Sequence, residues 1–266
     1  MHPDHELNRA SWDLLAAAHG QDAYYDTDAL IAGGSSFIEE EEAALAASLG
    51  ANLAGQRVLH VQCHLGFDTI TFARRGAYTT GVDFSPVALD RARSIAVRCG
   101  VEVEWVCADA TELPPSLNGR FDLAWATIGV LCWIADLPAW MRSVARALAA
   151  GGHLVLIDGH PLAQMLETDP LRVVQPYRGG ARNVSEVGCD YATPTRTGPQ
   201  VEFSYCLGDI VSAAADAGLR VTRLVEHTEI SRDLCDDRLT RENDGRYRRR
   251  ADGHPLPVLF TLLACR

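Results

Sequence analysis

From Val58 to Asp158, short apolar runs alternate with segments of helical spacing, and this alternation limits the possible folds more than any other feature of the chain. Such a pattern belongs to βαβ units, which assemble into a mainly parallel sheet covered on both faces. Strands are expected over residues 58–62, 79–83, 103–107, 121–127 and 153–158. Between them, helices are expected over 68–75, ended by Gly76; from Pro86, capped by Ser85, to Gly100; and over 137–149, capped by Asp136. A further helix over 39–49 has its four glutamates in the first turn, where the helix dipole favours them, and Gly50 at its end.

After the fifth strand the pattern breaks. Residues 159–206 are rich in Pro, Gly and Thr and read as an insertion that shapes a substrate pocket. A helix over 207–217 and strands over 220–226 and 258–265 follow, the last pair expected to be antiparallel. Residues 1–38 mix aromatics with Asp and Gly and end in Gly33, Gly34, Ser35 and Ser36, a composition suited to a mobile lid. The expected fold is therefore α/β: a doubly wound, seven-stranded, mostly parallel sheet in a domain over 39–266, with an N-terminal helical lid over 1–38 and an insertion after the fifth strand.

Charge and cysteine usage narrow the partners. The net charge is -11 and all 24 basic side chains are arginine. The one dense basic cluster, Arg246, Arg248, Arg249 and Arg250, lies beside Asp236, Asp237, Glu242 and Asp244 and reads as a solvated loop, so nucleic acid is not expected as a partner. The eight cysteines contain no C-x-x-C pair, which argues against a zinc site or a disulfide framework. No metal is expected. No stretch approaches the ~18 apolar residues of a membrane span, and the N-terminus lacks a basic end followed by an apolar run. A cytoplasmic protein acting on a small molecule is expected, as a monomer or a homodimer.

In an open α/β sheet, ligands bind beyond the carboxyl ends of the strands, beside the first strand. The segment there reads Q-C-H-L-G-F-D, with Gly66 alone of the glycine spacing expected for a dinucleotide loop. Asp83 closes the second strand, where a carboxylate can accept hydrogen bonds from both hydroxyls of a ribose. Asp109 and Ala110 follow the third strand, where a carboxylate and a backbone amide could read an adenine edge. An adenosine-containing ligand is the common reading of these positions.

The run VLHVQCHLGFDTITFARRGAYTTGVDFSPVALDRAR resembles the cofactor motif of a bacterial branch of the class I S-adenosylmethionine-dependent methyltransferases, in which Q-C-H-x-G-x-D-T replaces the glycine-rich loop. The resemblance extends through FDLAWATIGVLCWIADLPAW, RALAAGGHLVLIDGHP and LGDIVSAAADAGL and includes the N-terminal YYD and SSF segments. It implies S-adenosylmethionine as cofactor and S-adenosylhomocysteine as product. It also implies that Gln62, Cys63, His64 and Gly66 approach the methionine part, with Thr127 and Gly129 beneath it. Asp83 would hold the ribose, Phe84 would pack on the adenine, Asp109 and Ala110 would contact its edge, and Tyr24, Tyr25 and Ser36 would come from the lid. Two positions depart from the family: Tyr205 and Cys206 stand where a histidine is common, and His60 stands where an acidic residue is usual.

Methyl transfer from an activated sulfonium requires positioning and exclusion of water, plus a base where the acceptor is a hydroxyl or a protonated amine. His160, in the GHP segment after the fifth strand, is the candidate base; the alternative is that it fixes the turn. Tyr205 and Tyr191 are candidates to orient an acceptor, and Trp133 with Tyr24 could wall the pocket around an aromatic or cationic group. Oxygen is the preferred acceptor atom and nitrogen the next. Two other readings compete: a member that keeps the cofactor for non-methylating chemistry, and an NAD-linked oxidoreductase, since Asp83 suits that ribose equally.

Overall fold

The computed structural model describes all residues except 21, 23, 51, 169–170, 178, 189 and 235–237, so Cys189, Cys235, Asp236 and Asp237 lie outside the described residues. Three helices come first: α1 (Pro3–Ala18), α2 (Thr27–Ile31) and α3 (Glu39–Ser48). The alternating core follows as β1 (Arg57–Val61), α4 (Phe67–Arg74), β2 (Tyr78–Asp83), α5 (Pro86–Arg98), β3 (Glu104–Cys107), β4 (Phe121–Thr127), α6 (Leu137–Ala147) and β5 (Leu148–Gly159). The insertion holds α7 (Pro161–Met165) and two hairpins, β6 (Leu166–Thr168) with β7 (Leu171–Val173) and β8 (Ala181–Ser185) with β9 (Gln200–Ser204). The chain ends with α8 (Leu207–Asp216), β10 (Arg220–His227), a small sheet of β11 (Thr240–Arg241), β12 (Tyr247–Ala251) and β13 (His254–Leu256), and β14 (Leu259–Cys265).

Seven strands form one sheet in the order β10-β14-β5-β4-β1-β2-β3. β14 runs antiparallel to both its neighbours, and the pairings among β1 to β5 are parallel. The winding reverses between β1 and β4, which opens a crevice at their carboxyl ends. Period-2 alternation sets the two faces. Ala124 and Ala126 of β4, with Leu154 and Leu156 of β5, pack beneath α6 and α8. Leu123 and Trp125, with Val155 and Ile157, face the layer that includes Phe72 of α4 and Leu45 of α3. Both faces are thus dry, as a parallel sheet requires.

The caps behave as the residue types dictate. Ser85 accepts from Ala88 N at 3.0 Å and Asp136 from Ala139 N at 2.8 Å. β5 begins earlier than expected, at Leu148 instead of His153, because Leu148 already pairs with Phe121 and Gly152 accepts from Arg266 N. The basic cluster is not a free loop. Arg248 pairs with Glu229, Glu242 and Asp244, and Arg249 is buried and donates to the carbonyls of Ala163 and Leu166.

The N-terminal segment is helical, as expected: a sixteen-residue helix, α1, lies across α5 and the β9 hairpin. Its seat is polar. Asn8 exchanges two hydrogen bonds of 2.8 Å with the main chain of Val201, His5 reaches Asp109, and Ser11 donates to Pro199 O. Among the described residues no helix is long and apolar enough to cross a membrane.

Candidate active site

The turn after β1 has an unusual backbone. Gln62, His64 and Gly66 have φ of 58°, 48° and 70°, so alternate residues are left-handed although two of them carry side chains. Glycine normally supplies such φ values, and a β-carbon there costs about 1 kcal/mol or more. The two side chains return that energy in contacts. Gln62 accepts from Trp140 Nε1 at 2.9 Å and donates to Val130 O at 3.0 Å. The His64 ring meets His19 at 2.8 Å, and its backbone N–H donates to Asp83 Oδ2 at 2.9 Å. Gly66 is required for another reason: a β-carbon there would stand 2.3 Å from the Trp105 ring.

This turn forms one wall of a cavity of about 470 Å³ at the crevice between β1 and β4. That volume is within the ~300–1,000 Å³ usual for small-molecule and cofactor sites. Asp83 stands on the wall, accepting from His64 N and, at 2.9 Å, from Ser85 N. Burial pushes its carboxyl up to about 6, against the lowering effect of those two amides. Phe84, Cys63, Thr127, Gly129, Tyr24, Tyr25 and Ser36 also line the cavity, so the structure brings most of the expected cofactor residues together.

Three expected contacts are absent from it. Gly66, whose turn forms the wall, and Asp109 and Ala110 do not themselves line the cavity. Asp109 Oδ2 is bound to His5 at 2.7 Å and Oδ1 to Thr111 at 2.9 and 2.7 Å, so both oxygens are already engaged. Partial burial would raise this carboxyl, but those hydrogen bonds bring it down to about 2.

Both catalytic candidates are also corrected. His160 caps α7 by accepting from Leu162 N, and its Nε2 meets Glu226 of β10 at 2.8 Å. It is buried outside the cavity, and desolvation lowers its pKa despite Glu226. Tyr205 donates to Ile134 O at 2.7 Å and packs against the core, away from the cavity. The alternative reading, that His160 fixes its turn, fits this geometry.

The cavity holds groups that sequence reasoning did not single out. Asp68, in the first turn of α4, accepts from Ser36 Oγ at 2.6 Å and from Trp125 Nε1 and Thr127 Oγ1 at 3.0 Å each. Beside it, burial and the Asp68 charge push the Glu41 carboxyl well up. His60 is a satisfied neighbour, bound to Thr69 Oγ1 at 2.8 Å and lowered by burial.

On the facing wall His64 heads a chain to His19 and Asp190, with His19 Nε2 at 2.9 Å from Asp190 Oδ2. A carboxylate accepts only, so His19 Nε2 carries a proton; when His19 is neutral, its Nδ1 accepts from His64 Nε2–H. In that tautomer His64 Nδ1 is a lone-pair nitrogen. Burial, then His19 and Arg91, lower His64 to about 3, which keeps it neutral at working pH.

Residues 58–152, which contain the turn, Asp68 and Asp83, match the family described as methyltransferase domain. That stretch of the chain is similar to a methyltransferase domain. Over 103 residues the chain is 37% identical to a ubiquinone biosynthesis O-methyltransferase of Alkalilimnicola ehrlichii, covering 39% of this chain and 41% of the relative. It is 30% identical over 117 residues to the protein of the same name in Pseudomonas aeruginosa, covering 43% and 50%. The aligned stretches thus span half or less of these curated relatives. An S-adenosylmethionine-dependent methyltransferase from Mesorhizobium loti shares the fold, with TM-score 0.56 and 22% identity over 89% of this chain and all of that one. The cyclase SpnF also shares it, with TM-score 0.54 and 16% identity over 88% and 83% of the two chains.

Proposed function

We propose that this methyltransferase domain transfers a methyl group from S-adenosylmethionine to a small-molecule acceptor, oxygen first and nitrogen next. The observation that carries the reading is the buried Asp83 carboxylate at the end of β2, facing a cavity that also holds Asp68 and Glu41. These residues fit the cofactor's chemistry: Asp83 suits two ribose hydroxyls, and the Asp68 and Glu41 pair suits an ammonium. The names of the O-methyltransferase relatives support oxygen as the acceptor atom.

When bound, the cofactor supplies an electrophilic methyl group on a sulfonium sulfur. Asp83 would fix the ribose and Phe84 would pack on the adenine. Thr127, Gly129 and the Gln62–Gly66 turn would hold the methionine part. Trp12, Trp133 and the tyrosines exclude water, as an in-line displacement needs. His64 Nδ1 would accept the acceptor's proton, and its Nε2–H leads through His19 to Asp190.

His64→Gly tests this last role cleanly, because glycine is at ease at φ 48° and keeps the N–H to Asp83. It is expected to lower kcat about 100-fold, the usual scale for a lost general base, while S-adenosylhomocysteine affinity stays within a fewfold. His160→Ala is expected to leave kcat within about twofold, since it removes a cap and no cavity group.

Cofactor binding also acquires a pH dependence. Ribose hydroxyls donate to the ionised form of Asp83, whose free carboxyl titrates at about 6. Binding therefore strengthens as pH rises through 6 and releases a proton below it; affinity is expected to be about tenfold weaker at pH 5 than at pH 7. Asp83→Asn abolishes that slope. Calorimetry in buffers of different ionisation enthalpy reads both quantities.

The transfer itself is tested by incubating the protein with methyl-labelled S-adenosylmethionine and panels of phenols, carboxylates and amines. Label in an organic product supports the reading. Tight retention of S-adenosylhomocysteine with no labelled product from any panel supports the competing reading of a cofactor-holding member, and binding of NAD in its place supports an oxidoreductase.

A further inference from the structure

The cavity is charged in one sense. Among the described residues five carboxylates line it, those of Asp26, Glu41, Asp68, Asp83 and Glu202, against the single guanidinium of Arg232. Four of the five are committed. Asp83 holds the turn amides, Asp68 holds Ser36, Trp125 and Thr127, Glu41 accepts from Ile38 N, and Asp26 caps α2 through Ala29 N. Glu202 differs: among the described residues its carboxylate has no hydrogen-bond or ion-pair partner.

Its place in the fold explains this. In β9, Val201 and Phe203 point into the protein, and Glu202 alternates to the other side, onto the cavity. The Glu202 side chain is exposed to solvent at this face, and the partial desolvation there pushes its carboxyl up. The Glu202 charge in turn helps burial raise the thiol of Cys132, the residue before Trp133. Glu202 therefore stands close to the aromatic side of the cavity.

That side is a continuous run of rings. Trp12 meets Trp133 edge-to-face at 5.3 Å between centroids, and Trp12 meets His64 at 5.2 Å. His64 meets Tyr25 at 5.2 Å, Tyr25 meets Tyr24 at 4.9 Å, and Tyr24 meets Tyr191 at 5.2 Å. Such rings present negative faces to a cation. At the outer edge one face is already used in this way, with the Arg232 guanidinium 5.7 Å from the Tyr24 centroid.

We infer that the acceptor side of this cavity is built for a cation, an amine or a quaternary ammonium, whose charge is met by Glu202 and whose carbon substituents are met by the faces of Trp12, Trp133 and Tyr191. The cation is either the acceptor nitrogen itself or a group carried beside an acceptor hydroxyl. The inference rests on the proposal that this cavity receives cofactor and acceptor together. It narrows the substrate class from any small molecule to a positively charged one, and it disfavours anionic acceptors.

The test compares cations with neutral molecules of the same shape. The protein, saturated with S-adenosylhomocysteine so that no turnover occurs, is titrated with choline against 3,3-dimethylbutan-1-ol and with tyramine against 4-propylphenol. At least one cation is expected to bind roughly tenfold or more tightly than its neutral partner, on the scale of one desolvated cation–π or charge contact. Glu202→Gln should erase most of that preference, and Trp133→Leu should weaken the cation, both with S-adenosylhomocysteine affinity unchanged. If both cations bind no better than their neutral partners, or if Glu202→Gln leaves the preference intact, the inference is overturned while the cofactor reading stands. Failure of S-adenosylhomocysteine itself to bind would be visible in the first titration and would remove both.

Discussion

Asp83→Ala is expected to weaken S-adenosylhomocysteine binding about 1,000-fold. Two ribose hydroxyls donating to one carboxylate are two charge-assisted hydrogen bonds, each worth ~1.5–3 kcal/mol when desolvated. The same substitution also strips the acceptor from His64 N and Ser85 N, which lie 2.9 Å from the carboxylate oxygens and fix the turn and the start of α5. Asp83→Asn separates the two contributions, since it keeps one oxygen and the side-chain volume. It should retain more fold stability than Asp83→Ala while still losing most of the affinity. An Asp83→Ala protein that binds S-adenosylhomocysteine within a few-fold of wild type would show that the carboxylate faces no ribose.

The second large effect concerns stability. Asp158, at the end of β5, has no cationic partner among the described residues. It accepts from four backbone N–H groups: Gly129 at 2.6 Å, Val130 at 3.1 Å, Leu131 at 2.8 Å and Gly159 at 2.7 Å. It is only 4% exposed, so water cannot readily replace it. Burial raises its pKa even against these four amides, so part of their attraction is offset by desolvation. Asp158→Ala orphans all four, at ~1–3 kcal/mol for each that stays dry, and a net loss of about 3–4 kcal/mol is expected in urea unfolding. Because Gly129 lies on the cavity wall, cofactor affinity should fall as well. A loss under ~1 kcal/mol would mean that the segment after β4 is held by its packing alone.

The same distinction between local and long-range causes explains what was legible in the sequence. The strand and helix order from β1 to β5, and Asp83 at the end of β2, follow from period and spacing, which are local. The docking of α1 was not legible, because its buried stripe, which includes His5, Asn8, Ser11 and Leu15, is mostly polar and is satisfied by Asp109, Val201 and Pro199 far along the chain. No hydrophobic period places such a helix. Its His5 also engages Asp109, which does not line the cavity.

His160 looked catalytic because a lone histidine after a strand end resembles one. The contact that decides otherwise, Glu226, comes from a strand sixty-six residues away. Asp68 and Glu41 looked like acidic first-turn residues of two helices, which by itself they are. Only the docking of α3 against β5 and β14 brings them together beside Thr127. The Gln62 and His64 positions show the opposite case: the glycine pattern is missing from the sequence, yet the left-handed backbone persists, held by Trp140, Val130 and His19.

The most direct test of the central claim is calorimetric titration of the wild-type protein with S-adenosylmethionine, S-adenosylhomocysteine and NAD at pH 7. Saturable one-to-one binding of the two sulfur cofactors, with none of NAD, is the result expected from a cavity built around Asp83, Asp68 and Glu41. Binding of NAD, or of none of the three, would contradict it.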